Sequence, residues 1–209
     1  MFIDAETLQD QTTFRADIAV VGSGPAGIVL ALELANAGHE VALIESGRLH
    51  FSEAIQNLGE ASSFDPQFHA PMSECTRRQV GGTSIIWGGR CLPYDPVDFD
   101  RREYIQNSDW PIAYEEIEGY FQRACNYFFC GKSEFNIQNI PNVNQKSIVP
   151  GLPDAEVITS TLERWSLPTN FGKEYFNDLK QSEKIKVLYS LTCTEIETND
   201  QGIQVELLH

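Results

Sequence analysis

The stretch "DIAVVGSGPAGIVLALELANAGHEVALIE", residues 17–45, constrains the fold more than any other part of the chain. Ile18 to Val21 reads as a short buried strand. Gly22, Gly24 and Gly27 then place G-x-G-x-x-G at a strand-to-helix turn. In that pattern Gly22 permits the tight turn, Gly24 lets the backbone approach a pyrophosphate, and Gly27 lets helix and strand pack closely. Pro25 stands where a missing N–H costs nothing, with Ala26 between it and the third glycine. The helix start thus turns unbonded N–H groups and a positive dipole end toward phosphate. The helix is expected to run to about Ala37, with Gly38 as its stop. "EVALIE" reads as a second parallel strand ending at Glu45, followed by Ser46. A carboxylate at that point can accept from both ribose hydroxyls and disfavours a 2′-phosphate. The expectation is an α/β chain with a Rossmann-like parallel sheet that binds a dinucleotide. On this motif alone, NAD and FAD both stay open.

A second run, "RRQVGGTSIIWGGR" at residues 77–90, holds four glycines, two isoleucines, one tryptophan and three arginines. It is too glycine-rich for an ordinary helix or strand and too apolar for a solvated loop. The pair "GSGPAG … ESG" and "VGGTSIIWGGRC" resembles the glucose–methanol–choline (GMC) oxidoreductases, FAD-dependent enzymes that oxidise alcohols and sugars. The resemblance implies that the second run lies along the pyrophosphate and the isoalloxazine ring. Gly81 and Gly82 would pass against the cofactor, Thr83 and Ser84 would offer hydroxyls and N–H groups to phosphate, and Trp87 and Gly88 would lie beside the flavin. Glu45 and Ser46 fall on the family's acid and the residue after it. Arg78 matches an arginine of the sugar-oxidising relatives. In relatives that attach FAD covalently a histidine precedes the tryptophan; here that residue is Ile86, so FAD is expected to bind non-covalently.

"DWPIAYEEIEGYFQRA" also resembles a family segment, and points toward the pyranose oxidase and sugar dehydrogenase branch. By itself it reads as an amphipathic helix from about Tyr114, with Ile117, Tyr120 or Phe121, and Ala124 along one stripe. "KIKVLYSLTCTEIE" resembles the strand pair near the adenine, where the backbone of Cys193 would be the contact. The substrate implied is a small-molecule alcohol or sugar; the electron acceptor is not implied.

Flavin-dependent alcohol oxidation needs a base for the hydroxyl proton while hydride moves to flavin N5. In the family that base is a histidine far toward the C-terminus of a considerably longer chain. His39 reads as a turn residue, His50 and His69 as loop residues, and His209 ends the sequence, so no residue is assigned as catalytic. The expectation is therefore the N-terminal, FAD-binding portion of such an enzyme. Two alternatives stand beside it: a truncated, catalytically incomplete flavin-binding fragment, and a NAD-dependent dehydrogenase.

Composition narrows the partners. A formal net charge of -15 argues against a nucleic-acid backbone or an anionic membrane. The first twenty residues lack the pattern of a signal peptide, and the longest apolar stretch is too short to span a bilayer. Cysteines 75, 91, 125, 130 and 193 show neither CxxC nor zinc spacing, so no metal is expected, and a reducing, cytoplasmic setting suits them. Arg90, Arg101 and Arg102 read as surface arginines paired with nearby acids.

The expected domain map begins with a polar lead-in at residues 1–14 and a FAD-binding portion at 15–110. A substrate region starts at 111–184. Strands at 185–209 return to the FAD-binding domain, with Asn199 to Gly202 as a hairpin turn.

Overall fold

A computed structural model of the chain describes residues 1–61, 65–106, 108–152, 157–167 and 169–209. Its elements begin with β1 (Phe2–Asp4), β2 (Ile18–Val21), α1 (Pro25–Asn36), β3 (Val41–Ile44), α2 (Glu53–Gln56) and α3 (Met72–Cys75). Next come β4 (Arg90–Cys91), α4 (Tyr114–Glu118), α5 (Phe121–Tyr127) and β5 (Arg164–Trp165). The chain closes with α6 (Phe171–Glu174), α7 (Phe176–Gln181), β6 (Ile185–Tyr189), β7 (Ile196–Thr198) and β8 (Val205–Leu208). Two units form: Met1–Trp87 with Asn170–His209, and Gly88–Thr169.

In the first unit four parallel strands lie in the order β1-β6-β3-β2. Val41 of β3 sits opposite Ile18 on one side and Ile185 on the other. With neighbours on both edges and cover on both faces, β3 is buried at all four positions, which is why "VALI" carries no polar residue. Ile28, Leu43, Phe171, Leu179 and Val187 are sealed from solvent in this core. Burying each such side chain contributes about 1.5–3 kcal/mol. β2 forms the outer edge, and there Val20 is buried while Ala19 and Val21 are exposed.

Helix α1 starts and stops as its glycines demand. Gly24 caps it in extended conformation and Pro25 opens it. At the far end Gly38 adopts φ +99°, and its amide donates to Ala35 O at 3.0 Å while His39 N–H donates to Leu34 O at 3.1 Å. This paired bonding closes the last carbonyls of the helix.

Three expectations need correction. The polar lead-in contains a strand: Phe2 to Asp4 pair with Val187 to Tyr189, and the Phe2 ring stacks on Phe176 at 4.6 Å. Three residues are too few to show a period, so partners far along the chain decide their conformation. The units divide after Trp87 and after Thr169, whereas the sequence placed the changes at 110 and 184. Phe171, which starts α6, is fully buried in the first unit and draws residues 170–184 into it. The helix expected from Tyr114 is two helices, interrupted at Gly119, where Tyr120 N–H bonds back to Ile117 O in a tighter turn.

The expected hairpin is present as antiparallel β7 and β8, with Gly202 at φ +68° and Asn199 Oδ1 accepting from Ile203 N–H at 3.0 Å. The second unit carries an antiparallel pair, β4 with β5, and an aromatic cluster. Phe99 sits between Tyr94, Trp110 and Tyr114, with ring centroids 6.1, 5.4 and 5.8 Å away. The Pro- and Asn-rich stretch read as loop carries one 3-10 turn, Ile137–Asn139. Its last residues, 153 and 154, lie outside the described residues.

Candidate nucleotide site

The turn between β2 and α1 is built on contacts that exclude side chains. A Cβ on Gly27 would stand 1.8 Å from Gly22 O, so no other residue fits there. Gly22 adopts φ +100° and donates its N–H to Ile44 O at 2.7 Å, tying the turn to the end of β3. The first helical bond runs from Ile28 N–H to Gly24 O at 2.9 Å. The amides of Ala26 and Gly27 ahead of it have no partner inside the helix, and they sit at its positive end.

Glu45 is 5% exposed. Its Oε2 accepts from Ser23 N–H at 2.9 Å and from the Ser23 hydroxyl at 2.7 Å; its Oε1 accepts from Gly47 N–H at 2.7 Å. The Ser46 hydroxyl lies 3.4 Å from Oε1. A carboxylate has about four acceptor positions, so Glu45 already spends most of them holding the glycine turn in shape. The sequence reading assigned this acid to ribose alone and missed its anchoring of Ser23, a residue with no exposed surface. Beyond β6, Ser190 N–H donates to Gly47 O and Leu191 N–H to Glu45 O, both at 2.9 Å. Partly exposed Cys193 follows two residues later, its thiol 3.7 Å from Glu195 O.

The second glycine run is pinned beside this turn. Gln56, buried at the end of α2, donates from Nε2 to Ser73 O and Thr76 O, each at 3.0 Å, and accepts from Arg78 N–H at 3.0 Å. The Arg78 guanidinium donates to the Ser46 hydroxyl at 3.2 Å. Gly47 must be glycine, since a Cβ there would come within 2.3 Å of the Arg78–Gln79 peptide. Gly81 N–H then donates to Ser23 O at 2.9 Å, and a Cβ on Gly82 would lie 2.7 Å from Gly24 Cα. The two bare runs touch.

That contact gives Gly81 and Gly82 a structural reason for their bareness beside the expected approach to a cofactor. Both have left-handed backbone, φ +104° and +54°, and both press on the chain's own backbone: Gly81 on Gly172 and Gly82 on Gly24. Their bareness is required before any ligand arrives. Ser84 likewise has a structural role of its own. Its buried hydroxyl donates to Gly81 O at 2.5 Å and accepts from Phe171 N–H at 3.0 Å, so it joins α6 to the run. Thr83 is exposed at the start of the short 3-10 turn Gly82–Ile85. Trp87 ends the first unit, its N–H donating to Thr83 O at 3.1 Å. Gly88 belongs to the second unit, where a Cβ would meet only Trp165 at an ordinary 3.8 Å. The glycine needed there is Gly89, at φ +87° with Ser166 O 2.2 Å from where a Cβ would stand. Arg90 pairs with Glu163, whose hydrogen bond and charge raise its pKa.

Among the described residues no group of His, Cys, Asp and Glu could hold a metal ion, and no helix is long and apolar enough to cross a membrane.

Residues 16–107 match the family model for "Pyridine nucleotide-disulphide oxidoreductase". The chain is 30% identical over 136 residues to 2-methyl-1,2-propanediol dehydrogenase of Mycolicibacterium austroafricanum, covering 55% of this chain and 24% of that protein. It is 24% identical over 201 residues to the fructose dehydrogenase large subunit of Gluconobacter japonicus, covering 80% of this chain and 34% of that one. The solved structure of pyridoxine 4-oxidase from Mesorbium loti superposes with a TM-score of 0.55 at 18% identity, over 93% of this chain and 45% of that chain. The chain thus spans about a quarter to a third of the two curated relatives. The Rossmann-like parallel sheet agrees with this likeness of fold. The paired glycine runs and the parallel sheet agree with the matched family model, and the chain is similar over part of their length to these alcohol- and sugar-oxidising proteins.

Proposed function

We propose that this chain is the FAD-binding portion of a GMC-type oxidoreductase that moves hydride from the CH–OH group of an alcohol or sugar to flavin. One observation carries the reading: Gly81 N–H bonds to Ser23 O and Gly82 backs onto Gly24, so the second glycine run is held against the helix start suited to a pyrophosphate. The donor set fits such a group. It offers backbone amides at a helix N-terminus, one carboxylate beside them, and open space around the position a Cβ on Gly22 would take.

In this reading the Ala26 and Gly27 amides take the diphosphate, with Gly24 and Pro25 leaving the approach clear. Glu45 gives its remaining lone pairs to the ribose hydroxyls, Ser46 and Arg78 support it, and the Cys193 backbone borders the adenine. Thr83 offers its hydroxyl to phosphate, and Trp87 and Gly88 flank the flavin. When bound, the flavin supplies the hydride acceptor. Ile86 is 45% exposed and has no nucleophilic nitrogen, so the cofactor is held non-covalently. Most of the residues given to the cofactor lie in the first unit, and the second, from Gly88, begins the substrate side. Similarity to a diol dehydrogenase and a fructose dehydrogenase favours a small alcohol or sugar donor and the sugar-oxidising branch. The free cysteines suit a cytoplasmic setting.

Titrating the purified chain with FAD tests the reading. Expected are quenched flavin fluorescence, complete release of flavin on acid precipitation, and affinity lowered about tenfold or more in Glu45→Gln. No uptake of FAD sinks the proposal, and uptake of NAD instead favours a NAD-dependent dehydrogenase. Alcohol oxidation with an artificial acceptor, on the chain alone and with any downstream polypeptide, separates an active enzyme from a cofactor-binding fragment.

A further inference from the structure

Residues 69–75, "HAPMSEC", carry an imidazole, a thioether and a thiol at every third position, and none of the three has a part in the nucleotide site. Pro71 starts α3 from extended backbone, and the Glu74 and Cys75 amides donate to its carbonyl at 2.9 and 3.1 Å. That turn sets Cys75 beside Met72, as a spacing of three does in a helix, with the thiol 3.9 Å from the thioether sulfur. The thiol also lies 3.9 Å from Ala70 O, and the His69 ring reaches the same oxygen with Nδ1 at 2.6 Å. Imidazole and thiol thus meet at one carbonyl, and thiol and thioether meet each other. Buried Gln56 fixes the turn that spaces them, donating to Ser73 O and Thr76 O at 3.0 Å.

We propose that His69, Met72 and Cys75 form a binding site for copper(I), with the His69 Nε2, the Met72 thioether and the Cys75 thiolate as its three ligands. Metal–sulfur bonds of about 2.3 Å span a 3.9 Å gap when they meet at about 115°, close to trigonal. A carbonyl only accepts, so His69 Nδ1 carries the proton toward Ala70 O and the neutral ring keeps its lone pair on Nε2. Imidazoles that ligate metals are oriented by this kind of bond. On binding, a Cu–S bond forms, the Cys75 proton leaves to solvent, and the copper keeps its oxidation state.

The donor set selects the ion. Zinc sites draw on thiolate, imidazole and carboxylate, whereas a thioether completes a set for a softer ion. Met72 thus takes the group outside combinations of His, Cys, Asp and Glu alone and directs it to copper(I). His69 and Cys75 are exposed and Met72 is half-buried, so an ion reaches all three from solvent.

The whole chain, kept reduced and free of oxygen, is titrated with copper(I) in competition with a chromophoric copper(I) chelator. The parent chain should hold one ion, and X-ray absorption at the copper edge should read two sulfurs and one nitrogen around it. Affinity should fall about a hundredfold in Cys75→Ser and about tenfold or more in Met72→Leu and in His69→Ala. It should hold in Cys91→Ser and Cys193→Ser, and excess zinc should leave the ion in place. Met72→Leu is decisive, because adventitious capture by an exposed thiol is indifferent to the thioether. Unchanged affinity in Met72→Leu, tight binding retained in Cys75→Ser, or a parent chain that takes up no copper or holds it without a nitrogen ligand overturns the proposal.

Discussion

Replacing Gly82 by alanine tests whether the two glycine runs are braced against each other by the chain itself. Gly202 provides the control, since it shares left-handed backbone at φ +68° but has nothing within 4 Å of where a Cβ would stand. Gly202→Ala therefore meets only the conformational cost, about 1 kcal/mol. Gly82→Ala carries that cost at φ +54° and also drives a methyl to 2.7 Å from Gly24 Cα, a backbone atom that no rotamer can move aside. Overpacking of that kind adds about 1–3 kcal/mol, for a total of about 2–4 kcal/mol. For a chain this long, about 2–4 °C of melting temperature is lost per kcal/mol, so calorimetry should show about 3 °C for Gly202→Ala and about 6–12 °C for Gly82→Ala. Flavin affinity should fall in Gly82→Ala and hold in Gly202→Ala, because only the former parts the second run from the helix start. Equal melting losses in the two variants would refute the bracing argument, and an unperturbed Gly82→Ala would refute it more directly.

Ser84→Ala should lower the urea midpoint by the equivalent of about 1–3 kcal/mol, because Phe171 N–H would be left buried without its acceptor. Flavin affinity measured beside it should change by no more than about threefold if the hydroxyl is structural. Lys184, 2.9 Å from Glu40, lowers the Glu40 pKa by hydrogen bond and charge, with Lys186 adding to it. The folded carboxyl thus titrates below the unfolded one, so the stability it confers is present above the ordinary carboxylate range and lost as pH falls through the folded value. Glu40→Gln should lower the melting temperature slightly at neutral pH and converge with the parent at low pH, flattening the acid side of the profile, most at low salt.

The parts legible in the sequence are those where local chemistry and final packing demand the same residues. Ile18 to Val21, the turn glycines and the Gly38 stop all sit where the spacing places them, since one continuous strand–helix–strand unit determines each. Gly81 and Gly82 were legible as a close approach but not as to what approaches. Their neighbours, Gly24 and Gly172, lie 58 and 91 residues away along the chain (82 − 24 and 172 − 81). The same distance hid Ser84's bond to Phe171 and the pairing of β1 with β6. Gln56 gave no signal at all, because a side-chain amide replacing backbone partners for a loop carries no periodicity.

Strand β2 combines a sequence suited to the middle of a sheet, Ile-Ala-Val-Val, with a place at its margin. Its outward backbone groups offer a ready row of hydrogen-bonding sites, with no proline, bulge or lysine within the strand to turn a visitor away. In a concentrated preparation the cheapest way to satisfy that row is a neighbouring molecule's extended segment. Handling this polypeptide by itself is therefore a race between cofactor capture and clumping, and recovery should improve when flavin is supplied during expression.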